Sequence, residues 1–177
     1  MTTALLVIDV QNAVVANAHD RDGVIARLVT LVGRARRSGC PVIWVRHSDE
    51  ELVPGTPGWN LVDGLAPSED EPVIEKNFGD SFEGTSLGQA LAERNISRIY
   101  VSGAQTDFCI RSTLHGAVTR GYDAILVSDC HTTDDMSLGS FSMAARDVIA
   151  HTNFYWKWHR TASNVGGTIE SDEIKFD

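Results

Sequence analysis

Short apolar runs alternate along this chain with longer stretches in which apolar residues recur at helical spacing. Each run is brief and continuous, which is typical of a strand that is buried on both faces of a sheet. The predicted strands are residues 4–8, 41–45, 72–76, 98–101 and 122–129. The predicted helices are residues 24–35, 85–91, 107–120 and 138–149. This alternation predicts a three-layer α/β/α fold on a mainly parallel, Rossmann-like sheet.

The segments outside these elements complete the predicted architecture. Residues 168–170 and 174–176 predict a short edge strand, which would be the sixth strand of the sheet. Residues 48–70 form a loop rich in proline and glycine, and loops of this length are usually functional or mobile. At 177 residues the chain is expected to be a single domain, residues 1–177, with a substantial hydrophobic core.

The composition narrows the class of partner and the location. A net charge of −9 and the lack of a basic stripe argue against binding to nucleic acid. Cys40, Cys109 and Cys130 are too few and too scattered for a disulfide framework or a zinc site, which favours a reducing, cytoplasmic setting. We expect no signal peptide and no membrane segment, because no apolar run approaches the ~20 residues that a spanning helix needs.

Cys109 is the first candidate for chemistry. It follows the predicted strand 98–101 and lies in the first turn of a predicted helix. The unpaired N–H groups and the positive dipole of that turn favour a thiolate, so Cys109 is expected to be a nucleophile with a lowered pKa. The alternative is a buried cysteine that packs as a small hydrophobe.

Two further residues are expected at the same edge of the sheet as Cys109. Asp9 ends the first predicted strand and Lys76 ends the third, and open parallel sheets bind ligands at the carboxyl ends of their strands. Asp9 could instead cap a turn, and Lys76 could be a solvated surface lysine. Because the third strand of a doubly wound sheet is not adjacent to the first, Lys76 would have to reach across a strand.

Six short motifs, in this order, resemble the isochorismatase-like cysteine hydrolases, a superfamily that includes nicotinamidases, N-carbamoylsarcosine amidases and streptothricin hydrolase. The matching segments are residues 6–12, 75–76, 82–85, 103–110, 121–122 and 127–129. The resemblance implies a catalytic triad of Asp9, Lys76 and Cys109. Asp9 would accept the thiol proton, Cys109 would form an acyl-enzyme, and Lys76 would balance the charge.

The resemblance also implies the conformation of the loop before the nucleophile. It places a cis peptide bond between Ala104 and Gln105 and an oxyanion hole at the N–H groups of Gln105 and Cys109. The pocket walls that we expect are Gln11, His47, Trp59, Phe82 and Phe108. For Trp59 and Phe82, ordinary core packing is the alternative, and His47 could have a structural or solvated role.

The sequence departs from the metal-dependent branch of this superfamily. Nicotinamidases carry an Asp-x-His motif after the second strand, whereas this chain reads Arg46-His47-Ser48-Asp49-Glu50 there. We therefore expect no metal and no other cofactor, and nicotinamide becomes a less suitable substrate. The resemblance is instead to the streptothricin hydrolase branch, which implies cleavage of a small amide or lactam.

Three expectations remain open alternatives. Residues 154–158 are an aromatic cluster that would form a subunit contact in a homodimer or homotetramer, or else pack within one subunit. A nicotinamidase or isochorismatase type of hydrolase is the alternative within the superfamily. Outside it, Cys109 could serve a thiol redox or small-molecule binding module, although such a sensor needs no general base and usually has a resolving cysteine.

Overall fold

The computed structural model describes residues 2–176 and has a parallel sheet at its centre. The strands are β1 (Thr3–Ile8), β2 (Val42–His47), β3 (Val73–Lys76), β4 (Arg98–Ala104), β5 (Asp123–Thr132), β6 (Met136–Leu138), β7 (Phe141–Met143) and β8 (Gly166–Ile169). Six of them form one sheet in the order β3-β2-β1-β4-β5-β8, and every neighbouring pair is parallel. The predicted α/β architecture on a mainly parallel six-stranded sheet is confirmed.

Helices cover both faces of this sheet. They are α1 (Arg21–Arg37), α2 (Leu87–Glu93), α3 (Arg111–Thr119) and α4 (Ala145–Lys157). Successive side chains of a strand point to opposite faces, so Leu5 packs with the α1 core, whereas Leu6 packs with the core that α2, α3 and α4 line. Two apolar cores thus hold the sheet, and the strand ends are left to carry polar side chains.

The helix predicted for residues 138–149 is wrong over residues 138–144, more than half of its length. Leu138 and Phe141 face each other across the antiparallel pair β6–β7, and α4 begins only at Ala145. The turn between the two strands has two residues, and Gly139 adopts a positive φ of 62° there. Such a turn is typical of a tight hairpin, and the three-residue spacing of Leu138 and Phe141 imitated a helical period.

Two other boundaries also differ from the prediction. The sixth strand of the sheet covers Gly166–Ile169, and residues 174–176 are not a strand, because Ile174 is buried against the α1 core instead. The helix expected over residues 107–120 is divided into a π-helical turn, Thr106–Ile110, and α3. Cys109 therefore lies in the π-helical turn and not in the first turn of an α-helix.

Gly103 lets β4 approach β1 just before this turn. Its φ is +113°, and a Cβ atom at this position would lie 2.0 Å from the carbonyl oxygen of Ile8. The register between β4 and β5 also shifts between Val101 and Gly103. This close approach directs the following residues, Ala104 and Gln105, to the carboxyl edge of the sheet.

Within residues 2–176, none of the helices combines the length and the apolar character needed to cross a lipid bilayer.

Replacing Gly103 should therefore disrupt the fold. We expect Gly103→Ala to lower the free energy of unfolding by at least about 3 kcal/mol, because the new methyl group overlaps backbone that cannot move away. Urea unfolding would measure this. The control is Gly88→Ala in α2, where an added Cβ meets nothing within 4 Å. This control should be neutral or stabilising by up to about 1 kcal/mol. Equal effects of the two substitutions would contradict the prediction.

Candidate active site

Asp9 turns its carboxylate over the carboxyl edge of the sheet. It follows β1 directly and has a φ of 51°, a left-handed conformation that Asp tolerates better than most residues. Its N–H donates to the carbonyl oxygen of Val45 at 2.9 Å, which fixes the bend against β2. The residue is buried, and its carboxylate lies within hydrogen-bond reach of the Cys109 thiol. It is therefore placed to take the proton of that thiol.

Lys76 crosses the end of β2 to reach Asp9. It is the last residue of the edge strand β3, and its side chain is fully buried. The Nζ atom lies 2.7 Å from Oδ2 of Asp9, 3.2 Å from Sγ of Cys109 and 3.1 Å from Nδ1 of His47. The structure thus brings Asp9, Lys76 and Cys109 together, although they come from three separate parts of the chain.

Burial and the negative charge of Asp9 together raise the pKa of the Cys109 thiol to about 12, because the Lys76 ammonium offsets them only in part. The lowered pKa expected from a helix N-terminus is therefore wrong. Desolvation disfavours the thiolate, and the carboxylate of Asp9 opposes the favourable effect of the Lys76 ammonium. Cys109 is thus a thiol at neutral pH in the resting site.

The pKa of Asp9 is also raised, because burial disfavours its charged form more than Lys76 favours it. Asp9 is thus a stronger proton acceptor than an ordinary carboxylate. One ammonium lies within contact distance of both groups, so it can balance a negative charge on either of them. The arrangement is suited to moving one proton from sulfur to oxygen.

His47 supports the ammonium from the end of β2. An ammonium group can only donate, so Nδ1 of His47 accepts from Lys76 and Nε2 carries the hydrogen. Nε2 donates in turn to Oδ2 of Asp49 at 3.2 Å. This tautomer gives Lys76 a neutral neighbour instead of a second cation, and it places the imidazole on the wall of the cleft.

A cleft of about 850 Å³ opens above these groups. It is lined by Asp9, Ala13, Val14, His47, Asp49, Glu51, Leu52, Gly79, Gln105, Phe108, Cys109 and Asp134. A volume of this size suits a small molecule. Of the expected pocket walls, His47 and Phe108 line the cleft, and Phe108 is half exposed at its surface.

The other three expected walls are corrected by the structure. Gln11 is fully buried, and its amide bonds to both the N–H and the carbonyl oxygen of His47, so it holds that residue from behind. Trp59 donates to Oγ of Ser48 and lies under Arg46, which covers its ring at 3.9 Å. Phe82 stacks on Tyr122 in the α2–α3–α4 core, with 5.6 Å between ring centroids. All three are packing residues behind the wall.

The turn that carries Cys109 begins at a cis peptide bond between Ala104 and Gln105, the position that the resemblance implied. The carbonyl oxygen of Gln105 accepts hydrogen bonds from the N–H groups of Phe108 and Ile110, both at 3.1 Å. The Gln105 side chain donates to the carbonyl oxygen of Val14 at 3.2 Å. Gln105 and Cys109 therefore lie on the same wall of the cleft, as an oxyanion hole would require.

A buried histidine behind this turn was not anticipated from the sequence. His131 on β5 accepts the hydroxyl hydrogen of Thr106 at Nδ1, 2.9 Å away, and its Nε2 donates to Oδ1 of Asn153 at 3.1 Å. Asn153 donates to the carbonyl oxygen of Ser128, which fixes the direction of the whole chain of hydrogen bonds. Burial lowers the pKa of His131 to about 4, so the imidazole is neutral and can accept from Thr106.

Three acidic residues of the cleft were also missed. Asp49 and Glu51 follow β2, and Asp134 follows β5. Each comes just after the carboxyl end of a strand, so the rule that singled out Asp9 and Lys76 could have found them.

The described residues do not fit a bound metal. None of the His, Cys, Asp and Glu side chains in residues 2–176 forms a group of three or more that could hold a metal ion. His47 and Asp49 are neighbours, but His47 already uses both ring nitrogens for Lys76 and Asp49.

Residues 3–152 match the family model described as the isochorismatase domain. A streptothricin hydrolase of Streptomyces noursei is 34% identical over 75% of this chain, and the chain spans 55% of that relative's length. A ureidoacrylate amidohydrolase of Methylobacterium radiotolerans is 30% identical over 81% of this chain and 72% of its own. The crystal structure of an isochorismatase from Pseudomonas putida superposes with a TM-score of 0.88 at 26% identity, covering 98% of this chain and 90% of that one.

His131 should make the stability of the protein dependent on pH. Its pKa of about 4 in the folded state lies below the ~6.5 of an unfolded histidine, so the unfolded state binds the proton more readily between these values. Stability should therefore fall as the pH falls from about 6.5 to about 4, by roughly 3 kcal/mol at the lower limit.

Urea unfolding at a series of pH values would measure this slope. We expect His131→Gln to flatten it, whereas the control His151→Gln, at an exposed position of α4, should leave it unchanged. An identical slope in the wild type and His131→Gln would contradict the prediction.

Proposed function

The chain belongs to the isochorismatase family of hydrolases, and on that premise we propose that it cleaves a C–N bond of a small amide or lactam through a Cys109 acyl-enzyme. The observation that carries this proposal is the buried Lys76 ammonium, 2.7 Å from Asp9 and 3.2 Å from Cys109. A nucleophile, a proton acceptor and one balancing cation are what such a reaction needs. The names of the matched hydrolases, one of them an amidohydrolase, support the same class of reaction.

In the first step, the proton of the Cys109 thiol moves to Asp9 as sulfur attacks the carbonyl carbon. The transfer exchanges a carboxylate for a thiolate, and Lys76 pairs with the negative charge before and after it. Protonated Asp9 no longer repels the thiolate, so the group that raised the pKa of Cys109 is neutral when sulfur attacks. The new C–S bond moves the carbonyl electrons to oxygen, which the N–H groups of Gln105 and Cys109 would stabilise.

The second step releases the amine and leaves a thioester. Asp9 returns its proton to the substrate nitrogen as the C–N bond breaks and the C=O bond re-forms. In a lactam the amine stays attached to the acyl part, because the broken bond was in a ring. Asp9 is a carboxylate again and pairs with Lys76 as before.

Water then hydrolyses the thioester. Asp9 takes a proton from the attacking water, the C–S bond breaks, and the thiolate recovers that proton. The sum is one amide and one water converted to one carboxylic acid and one amine, with no change in the enzyme. Each half of the cycle uses Asp9 once as acceptor and once as donor.

The protonated state of the Cys109 thiol argues against the redox alternative. A sensor thiol reacts as a thiolate of low pKa, whereas burial raises the pKa of Cys109 to about 12. Cys40 and Cys130 are both buried and free, as is expected in a reducing compartment, so we also infer a cytoplasmic location.

We retain a second copy of the chain as the partner of the aromatic cluster at the end of α4. Phe154 and Trp158 are 69% and 65% exposed, and Tyr155 beside them is 36% exposed. Aromatic rings that are open to water at adjacent positions are typical of subunit contacts. A homodimer or homotetramer would bury them.

The acyl-enzyme can be observed directly. Mass spectrometry during turnover of a panel of small amides and lactams should detect an acyl adduct on the peptide that contains Cys109. We expect Cys109→Ser to lower kcat at least about 10³-fold, and Asp9→Asn to lower it by about 10²–10⁴. Cys40→Ser is the control, because carbonyl oxygens of Thr3 and Pro41 already surround that thiol and can accept the new hydroxyl.

Turnover that survives Cys109→Ala would overturn the acyl-enzyme and favour the isochorismatase type of reaction. Peroxide-driven formation of a Cys109 disulfide, with no amide hydrolysed, would favour the redox alternative.

Removal of metal should leave the activity intact. We expect dialysis against a chelator to change kcat/KM by less than about two-fold, because the proposed steps use only protein groups. Amide hydrolysis before and after treatment, with metal content measured in both samples, would test this. Activity that is lost and then restored by zinc or iron would contradict it.

A further inference from the structure

The cleft above Cys109 has an excess of negative charge. Four of the residues that line it are carboxylates, and no lining residue in the described part of the chain is Lys or Arg. Asp9 is balanced by Lys76 beneath the floor of the cleft. That leaves Asp49, Glu51 and Asp134 against the single imidazole of His47.

Asp49 is built to stay ionised. Its Oδ1 accepts the N–H groups of Glu51 and Leu52 at 2.9 and 2.7 Å, which hold the pKa of the carboxyl below its ordinary value. Its other oxygen faces the Nε2 hydrogen of His47. Asp49 is therefore a fixed, well-solvated negative charge at the wall of the cleft and has little capacity left for a ligand.

Asp134 is different, because its carboxylate is not satisfied. It interacts with the Gln105 side chain, but its Oδ1 is buried and has no hydrogen-bond partner. Burial raises the pKa of Asp134, and the nearby carboxylates of Asp107 and Asp135 raise it further. No ion pair of the described residues includes Asp134 or Glu51.

The buried Oδ1 of Asp134 points to a ligand that donates hydrogens. Asp9 is not such an acceptor, because Lys76 and the Cys109 thiol already interact with its carboxylate. A buried acceptor without a donor is costly, and a bound molecule with N–H groups would satisfy it. A cleft of one sign of charge also concentrates ligands of the opposite sign.

We infer that the cleft accepts amides that carry a positive charge, and that Asp134 binds this charge while Glu51 strengthens the surrounding negative potential. The inference rests on the proposed function, because it names the substrate class of the same site. An ammonium or guanidinium group fits best, since each brings N–H donors to Oδ1 of Asp134. Carboxylate-bearing amides are disfavoured by the same charges.

A pair of thiol reagents that differ in charge tests this without any turnover. Aminoethyl methanethiosulfonate is a cation and sulfonatoethyl methanethiosulfonate is an anion, and both form a mixed disulfide with Cys109 by displacing methanesulfinate. The ratio of the two rates of reaction with Cys109 is divided by the ratio of the two rates of reaction with mercaptoethanol, a free thiol. This normalised ratio reports the charge selectivity of the cleft. The raised pKa of Cys109 cancels in this ratio, and Cys109→Ser gives the background from Cys40 and Cys130.

We expect the normalised ratio to favour the cation by at least about ten-fold at low salt. Asp134→Asn should lower it at least about three-fold, and Glu51→Gln should lower it less, because Glu51 is exposed. The matched control is Glu69→Gln, an exposed charge that lies before β3 and hence at the opposite edge of the sheet. A ratio near one, or equal losses in Asp134→Asn and Glu69→Gln, would overturn the inference.

Amides matched in length connect the result to catalysis. β-Alaninamide and butanamide differ only by an ammonium in place of a methyl group, and succinamate carries a carboxylate there. We expect kcat/KM to be highest for β-alaninamide and lowest for succinamate, and Asp134→Asn to reduce the difference. Equal values would overturn the inference and leave the proposed hydrolysis intact. Cation-selective modification of Cys109 with no hydrolysis would instead count against the proposed function.

Discussion

A fully buried ammonium group is the constraint on which the rest of this site depends. Lys76 can stay charged inside the protein only if a carboxylate lies against it, and Asp9 provides one at 2.7 Å. Leaving one member of such a pair without its partner typically costs about 3–5 kcal/mol. Three other features stabilise this single contact. They are the left-handed turn at Asp9, the neutral tautomer of His47 and the path of Lys76 across β2.

Burial and the negative charge of Asp9 explain why the nucleophile is protonated at rest. A thiolate stabilised by a helix end would react with any electrophile. Cys109 is instead a thiol of high pKa beside Asp9, whose pKa is also raised, so it reacts only when its proton moves to that carboxylate. The site therefore conserves its charge, since one cation always accompanies one anion. The proton transfer becomes favourable only when a bound substrate offers a carbonyl carbon for sulfur to attack.

Much of this could be predicted from the sequence, for a physical reason. A parallel sheet covered on both faces requires continuous apolar strands, so the apolar runs predicted the strands correctly. The carboxyl ends of these strands then placed Asp9, Lys76 and Cys109 at one edge of the sheet. The rest depended on packing that no local pattern encodes. Leu138 and Phe141 have helical spacing in a hairpin, and Phe82 has the character of a pocket wall but stacks on Tyr122. The prediction of a lowered pKa for Cys109 was wrong because the burial of the thiol and its proximity to Asp9 depend on the tertiary structure.

The position of β3 gives this site an unusual mechanical weakness. The strand has four residues, lies at the end of the sheet and pairs with β2 alone, and its only buried apolar side chain is Ile74. Edge strands of this length exchange their amide hydrogens through local opening, well before the domain unfolds. Detachment of β3 would withdraw the ammonium and leave Asp9 and Cys109 with no balancing charge. Such an opening would remove the catalytic cation and one core residue, Ile74, while the rest of both cores stays folded.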